Sequence, residues 1–268
     1  MPHRKIHSNP HSAKEHAHPA RWSGKALICT DRRVKEFFIY NAMKKARVPE
    51  QIIYSFLGSY AHKSPGNLYD PWEIRAKGEL GYHREHTGTH FSVIGHDEVC
   101  GGMKLLGNAL RLKEEGGNYK KLYRDRDFGG TYREVTRAIK DYDSFLDFVK
   151  NAHKKNFLEF LQTDKFRQAL EEFNVFLQFR RALDDPRFMM HDETAKRVHG
   201  KGIIFVGGIY TPKEKLVAGK LLPTQGSIRF EYPHLTDAIG SASKFDQLTR
   251  ELGLSHKPGS PIIERVEK

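Results

Sequence analysis

Four histidines crowd into one stretch, His83, His86, His90 and His96, and the last is followed by Asp97 and Glu98. Imidazoles serve as metal ligands, proton carriers or phosphate contacts, and an acidic neighbour can fix the tautomer. On a helix, His83, His86 and His90 would share a face and make a three-His metal site, but Thr87-Gly88-Thr89 argues against a helix there. A metal-dependent His-Asp phosphohydrolase would carry His96-Asp97 on a buried helix, whereas the run before this pair reads as a strand. No metal ligand set is assigned, and no cofactor is implied.

The sharper pattern is an order of elements. His90-Phe91-Ser92-Val93-Ile94 reads as a strand, a helix follows from Val99, and a basic segment carries Tyr119, Lys120, Lys121, Arg124, Arg126, Arg133 and Arg137. A strand histidine facing Lys and Arg from a neighbouring hairpin is a workable phosphate site, because guanidinium forks match phosphate oxygens and His or Lys can shuttle protons. In this reading His90 and Lys120 are catalytic, and Lys121, Arg124, Arg126 and Arg133 bind phosphate. The competing reading makes the same residues the outward side of a solvated sheet.

Between His90 and Arg133 the sequence also resembles the ordered landmarks of the phosphothreonine lyases, through His90-Phe91-Ser92-Val93, Leu105-x-Gly107, Tyr119-Lys120 and Arg133. The resemblance implies His90 as acid, Lys120 as base and Arg133 as phosphate ligand. It departs from the family just before the histidine, where Gly88-Thr89 stands in place of a lysine, and the later Phe-Thr strand is not found.

Cys100 opens Cys100-Gly101-Gly102-Met103 at the expected start of a helix, where free backbone amides and the helix dipole lower a thiol pKa. A papain-like thiol hydrolase or transferase would use it as nucleophile with His199, His234 or an earlier histidine as partner; a buried structural cysteine is the plainer reading. His234-Leu235-Thr236 echoes His90-Phe91-Ser92, as in two-histidine phosphoesterases, although Asp237 breaks the apolar strand pattern. Aromatics interleave with charge from Tyr119 to Arg133, which suits base stacking and phosphate contact. Walker loops, dinucleotide loops, zinc-finger spacings and RNA-recognition signatures do not occur.

These residues need elements to hold them. Ala26 to Cys29 reads as a strand, and Thr30-Asp31 caps a helix carrying Val34, Phe37, Phe38 and Met43. Pro49 opens a second expected helix through Ile52, Ile53, Phe56 and Leu57. A turn-rich loop spans 59–81. After the helix bearing Met103, Leu106 and Leu110, Gly116-Gly117 is a stop, and a hairpin is expected from Tyr119 to Ile139. Asp143 begins a long helical region to Leu183, broken near Thr163-Asp164. Ile203 to Val206 and Ser227 to Tyr232 read as strands separated by Pro212, Gly219 and Pro223, and Phe245, Leu248, Leu252 and Leu254 as a closing helix. Strands flanking a helical middle give an α+β class with a mixed sheet.

The chain has 268 residues, enough to bury a core without staples, and its two cysteines rule out a disulfide scaffold. Residues 1–24 carry five histidines and little apolar matter and are expected to be a flexible arm, with one globular domain over 25–268 and a sub-boundary near 200. Neither a transmembrane run nor an apolar leader is present, so a cytosolic protein, or an effector delivered without a classical signal peptide, is expected. Lysine and arginine exceed acids by a formal charge of +12. That field attracts polyanions, so the expected partner is a phosphorylated protein or a nucleic acid. The leading expectation is an enzyme acting on a phosphorylated or phosphodiester substrate. A non-catalytic nucleic-acid-binding protein and a Cys100 thiol enzyme are the alternatives.

Overall fold

The computed structural model of the chain describes residues 24–29, 36–48, 52–56, 89–97, 101–119 and 139–266. Strand β1 (Gly24–Cys29) leads to helix α1 (Glu36–Lys45), then β2 (Ile52–Phe56), β3 (His90–His96) and α2 (Gly101–Glu114). A helical middle follows: α3 (Asp143–Ala152), α4 (Phe157–Phe160), α5 (Asp164–Leu183) and α6 (Pro186–His199). The long strands β4 (Ile204–Val217) and β5 (Lys220–Arg229) come next, then α7 (Pro233–Ile239), α8 (Ala242–Glu251), β6 (Leu254–His256) and β7 (Ile262–Arg265).

One mixed sheet joins the strands in the order β2-β1-β3-β4-β7-β6, with β5 also on β4. β2, β1, β3 and β4 run parallel, and the pairs β4–β5, β4–β7 and β6–β7 are antiparallel. The α+β architecture with a mixed sheet and a helical middle is the one expected from the sequence. The sheet takes strands from both sides of residue 200, because β4 lies directly against β3.

Parallel strands covered on both faces read as apolar runs, and six of the seven β3 residues are buried. Side-chain alternation splits the core in two. Leu27, Phe91, Val93, Phe205 and Ile209 face a thick layer of helices containing Met103, Phe145, Phe173, Phe176, Phe179, Leu235 and Leu248. Ala26, Ile28, Ile94, Val206 and Tyr210 face α1 through Ile39, Ala42 and Met43. Helix α5 runs through the thick layer and is buried nearly all round from Ala169 to Phe179, its polar Glu171, Glu172, Asn174 and Gln178 included. Phe91 meets Phe179 and Phe188 edge to face, and Phe145 stacks on Phe173 at 4.8 Å. Truncating any of these rings to Ala costs about 3–5 kcal/mol in such a core.

The helix ends follow local chemistry. Thr163 caps α5 by accepting the Phe166 N–H at 3.1 Å, and Asp185 caps α6 by accepting from Arg187 N at 2.8 Å, just before Pro186. Gly200 ends α6 at φ 73°, a left-handed conformation that costs other residues more.

Several expectations are corrected. The segment Ile52 to Phe56 is a strand, not a helix, and pairs in parallel with β1 from Lys25–Ile52 to Cys29–Phe56. Five residues cannot distinguish helical spacing from a buried strand, and Ile-Ile followed by aromatics fits a sheet edge that would otherwise stay open. The long helical region breaks near Thr163 as expected, and also at 153–156. The strand read at Ser227–Tyr232 starts earlier, at Lys220, and stops at Arg229. Pro212 and Pro223 lie inside the β4–β5 hairpin rather than between elements, Pro212 at a register shift, where a missing N–H is tolerated. Leu254 belongs to β6 and not to the closing helix. Of the arm expected over 1–24 and the hairpin expected from Tyr119 to Ile139, residues 1–23 and 120–138 lie outside the described residues, as does the loop 59–81, while Gly24 opens β1. Among the described residues no helix is long and apolar enough to cross a membrane.

Candidate functional site

At the C-terminal end of the parallel strands, β3 delivers Asp97. The strand's alternation, which turns Phe91 and Val93 toward α5, continues to Asp97. Its backbone N–H donates to Tyr210 O at 3.0 Å and its carbonyl accepts from Gln168 Nε2 of α5 at 3.2 Å. On α5 the stripe facing β3 changes character along its length. Phe179 packs on Phe91, and one and a half turns or more toward the N-terminus Glu172 and Gln168 meet the strand's polar end.

Arg229, the last residue of β5, joins the two acids. Its Nη2 donates to Glu172 Oε1 at 2.6 Å and also to Asp97 Oδ1, and its Nε lies 3.2 Å from the same Asp97 oxygen. Thr211 Oγ1 donates to Asp97 Oδ2 at 2.5 Å. Glu172 is 1% exposed and also accepts the Leu235 backbone N–H at 2.7 Å. His234, in the first turn of α7 and half-buried, completes the group: one ligand atom each from Asp97, Glu172 and His234 lie within 4.8 Å of one another.

Burial pushes the Glu172 carboxyl up to about 7, against the opposing charge of Arg229 and the Leu235 hydrogen bond. Burial also holds His234 below the ordinary imidazole value, and the Arg229 charge adds to that. The usual order of a carboxyl and an imidazole is thereby compressed or reversed. Near neutrality Glu172 can carry a proton to give while His234 is free to take one, the pattern of an acid–base pair. With Glu172 protonated, the formal charges of Asp97 and Arg229 cancel and an anion meets no net repulsion. The three ligand atoms also form a set acceptable to a divalent cation. A cation there competes with Arg229, which already bonds both carboxylates.

His90 begins β3 and sits at the opposite end of the strand, about 23 Å from Asp97 at the usual rise per residue. It is half-buried, with Nδ1 2.8 Å from Thr89 Oγ1. His90 and the Asp97 cluster therefore cannot share one site. Lys120, Lys121, Arg124, Arg126, Arg133 and Cys100 lie outside the described residues; Tyr119, beside Lys120, packs against the main core. His96 is buried on β3, so the His96-Asp97 pair closes a strand and lacks the helix a His-Asp phosphohydrolase uses. His234 is on a helix, not on a strand as the echo with His90 required.

Sequence reading noted Asp97 and His234 separately and missed Glu172 and Arg229. A glutamate pair, Glu171-Glu172, inside a stretch from Ala169 to Phe179 rich in Phe and Leu was the available signal, because a buried charge demands a partner. Neither a scan of protein-family models nor a search of curated proteins finds a match to the chain.

Proposed function

We propose that this protein is an enzyme acting on a phosphorylated or phosphodiester substrate, with Glu172 as general acid, His234 as general base, and Asp97 and Arg229 as the residues that position them. The carrying observation is the convergence of Asp97, Glu172, Arg229 and His234 from four separate elements at the C-terminal edge of the parallel strands. Open parallel sheets bind ligands outside that edge, and in the order β2-β1-β3-β4 the chain reverses direction beside β3. The same rule favours this edge over His90. The excess of Lys and Arg supports an anionic substrate, a phosphorylated protein or a nucleic acid.

In this reading neutral His234 takes the proton of a water or hydroxyl as its oxygen bonds to phosphorus. Protonated Glu172 gives its proton to the leaving oxygen as the second P–O bond breaks. The fixed Arg229 charge offsets the negative charge that builds between them.

Turnover of bis(4-nitrophenyl) phosphate and of a phosphothreonine peptide tests this. Glu172→Gln and His234→Asn are each expected to lower kcat/KM by about 10²–10⁴-fold on whichever substrate is turned over, with each variant still folded at the assay temperature by circular dichroism. Wild-type rates in both variants would remove the proposal. Loss of activity in Cys100→Ser or His90→Ala, but not in these two, would move the chemistry elsewhere.

A further inference from the structure

β4 outruns the sheet. It pairs with β3 only from Ile204 to Tyr210, and from Lys213 to Val217 its partner is β5 alone, in register from Lys213–Thr224 to Val217–Lys220. The two strands join through Ala218 and Gly219, both at positive φ (49° and 75°), which is the tight two-residue turn that matches strand twist. The result is a bare two-stranded ribbon whose residues 213–220 are all exposed.

The register decides what each face carries. Residues opposite one another share a face, so Lys213, Lys215 and Lys220 stand together with Val217, Leu222 and Thr224, while Glu214 and Leu216 are on the other side. Three lysines thus occupy one face with no acid on it, and none of the three makes an ion pair with a described residue. The ribbon is also rooted in the candidate site: Thr211 and Arg229, both bound to Asp97, are its base.

We infer that this ribbon is a docking element for double-stranded nucleic acid, with the Lys213, Lys215 and Lys220 face against the phosphate backbone. Charge complementarity selects a polyanion, and the details select which. Lysines act as point charges and there is no Arg fork or pocket for a phosphopeptide. No aromatic residue lies between Thr211 and Thr224, so the ribbon offers neither a stacking platform for single strands nor the interfacial anchors of a membrane-inserting loop. A two-stranded ribbon fits the roughly 12 Å major groove, and the four steps from Lys213 to Val217 reach about 13 Å, more than the groove's roughly 8.5 Å depth. Binding of this kind is salt-sensitive and blind to sequence. That the bound backbone then passes Glu172 and His234 rests on the proposed activity; the binding itself does not.

The test is anisotropy of the full chain with a fluorescein-labelled duplex DNA of mixed sequence, across a salt series. The ribbon variant Lys213→Glu/Lys215→Glu/Lys220→Glu is compared with the equally charge-reversed Lys154→Glu/Lys155→Glu/Lys201→Glu, whose lysines are also exposed. The ribbon variant is expected to lose affinity at least about tenfold and to shallow the log–log salt slope by about 2.7, 0.9 for each contact. The control should change both much less. Circular dichroism and turnover of the small phosphodiester should be unchanged in either. Equal losses in the two variants, no loss in the ribbon variant, tighter ribbon-dependent binding to anionic vesicles than to duplex, or a Leu216-dependent dimer in place of DNA binding would each overturn the inference. Ribbon-dependent binding without turnover of any phosphate ester would leave it standing and remove the proposed activity instead.

Discussion

Leu235 donates its backbone N–H to Glu172 Oε2 at 2.7 Å, tying the first turn of α7 to the middle of α5 across 63 residues of sequence. That bond holds the preceding residue, His234, beside the same carboxylate. It also gives the buried carboxyl one neutral donor in addition to the charged Arg229.

Glu172 makes stability depend on pH in a definite direction. Its folded value of about 7 lies above the unfolded 4.5, so the folded state holds the proton more tightly. The contribution is full below the unfolded value, declines as pH rises, and is lost above about 7, a change on the order of a few kcal/mol. Glu172→Gln cannot ionise. The difference in melting temperature between variant and wild type should therefore move in the variant's favour between about pH 5 and about pH 8. A difference that stays constant across that range would show that Glu172 does not titrate there. His234, held below its ordinary value, acts in the opposite sense, and subtracting the two curves cancels it.

Arg229 is expected to matter more for folding than a surface ion pair does, because one of its partners is almost fully buried. Arg229→Met leaves Glu172 without its counter-charge and should cost about 3–5 kcal/mol in chemical denaturation at about pH 8–9, where the wild-type carboxyl is ionised. Lowering the pH to about 5 should return part of that loss by protonating Glu172. Arg229→Lys should recover less than half, since a point charge cannot bridge two carboxylates as the fork does. Wild-type stability in Arg229→Met would contradict the geometry.

A second buried acid is structural. Asp192 on α6 is fully buried, accepts the Ile203 N–H and both Arg265 terminal nitrogens at 2.7 Å, and so locks α6 to the start of β4 and to β7. Burial pushes its carboxyl up, but hydrogen bonds from Arg265 and Ile203 outweigh burial and hold it below 3.8. Its stabilisation is present above that unfolded value and is lost in acid, as pH falls through the folded one. Asp192→Ala should cost about 3–5 kcal/mol, and the double variant with Arg265→Leu less than the sum of the two singles. Additive losses would show that the pair is not coupled.

Much of the fold was legible locally. The apolar runs at Ala26–Cys29, His90–Ile94 and Ile203–Val206 fall in β1, β3 and, from Ile204, β4, because each must be covered on both faces. The break near Thr163-Asp164 was legible, and its physical basis is that the Thr163 hydroxyl satisfies an orphan N–H where α5 begins. Ile52–Phe56 could not be read, since what makes it a strand is the open edge of β1, a partner many residues away in sequence. The same holds for the ribbon: its lysines fall on one face only because Val217 pairs with Lys220, a register set by a two-residue turn.

The amino-acid sequence by itself determined the charge and the α+β class, because these follow from composition and short-range periodicity. Asp97 and His234 were already visible as residues able to do chemistry. Only the tertiary structure decided that they belong with Glu172 and Arg229, and that His90 stands at the other end of the same strand. The reason is physical: a site depends on which strand end, helix stripe and hairpin base meet. Those meetings are set by sheet order and by the partner that a buried charge demands, neither of which is written in any one segment.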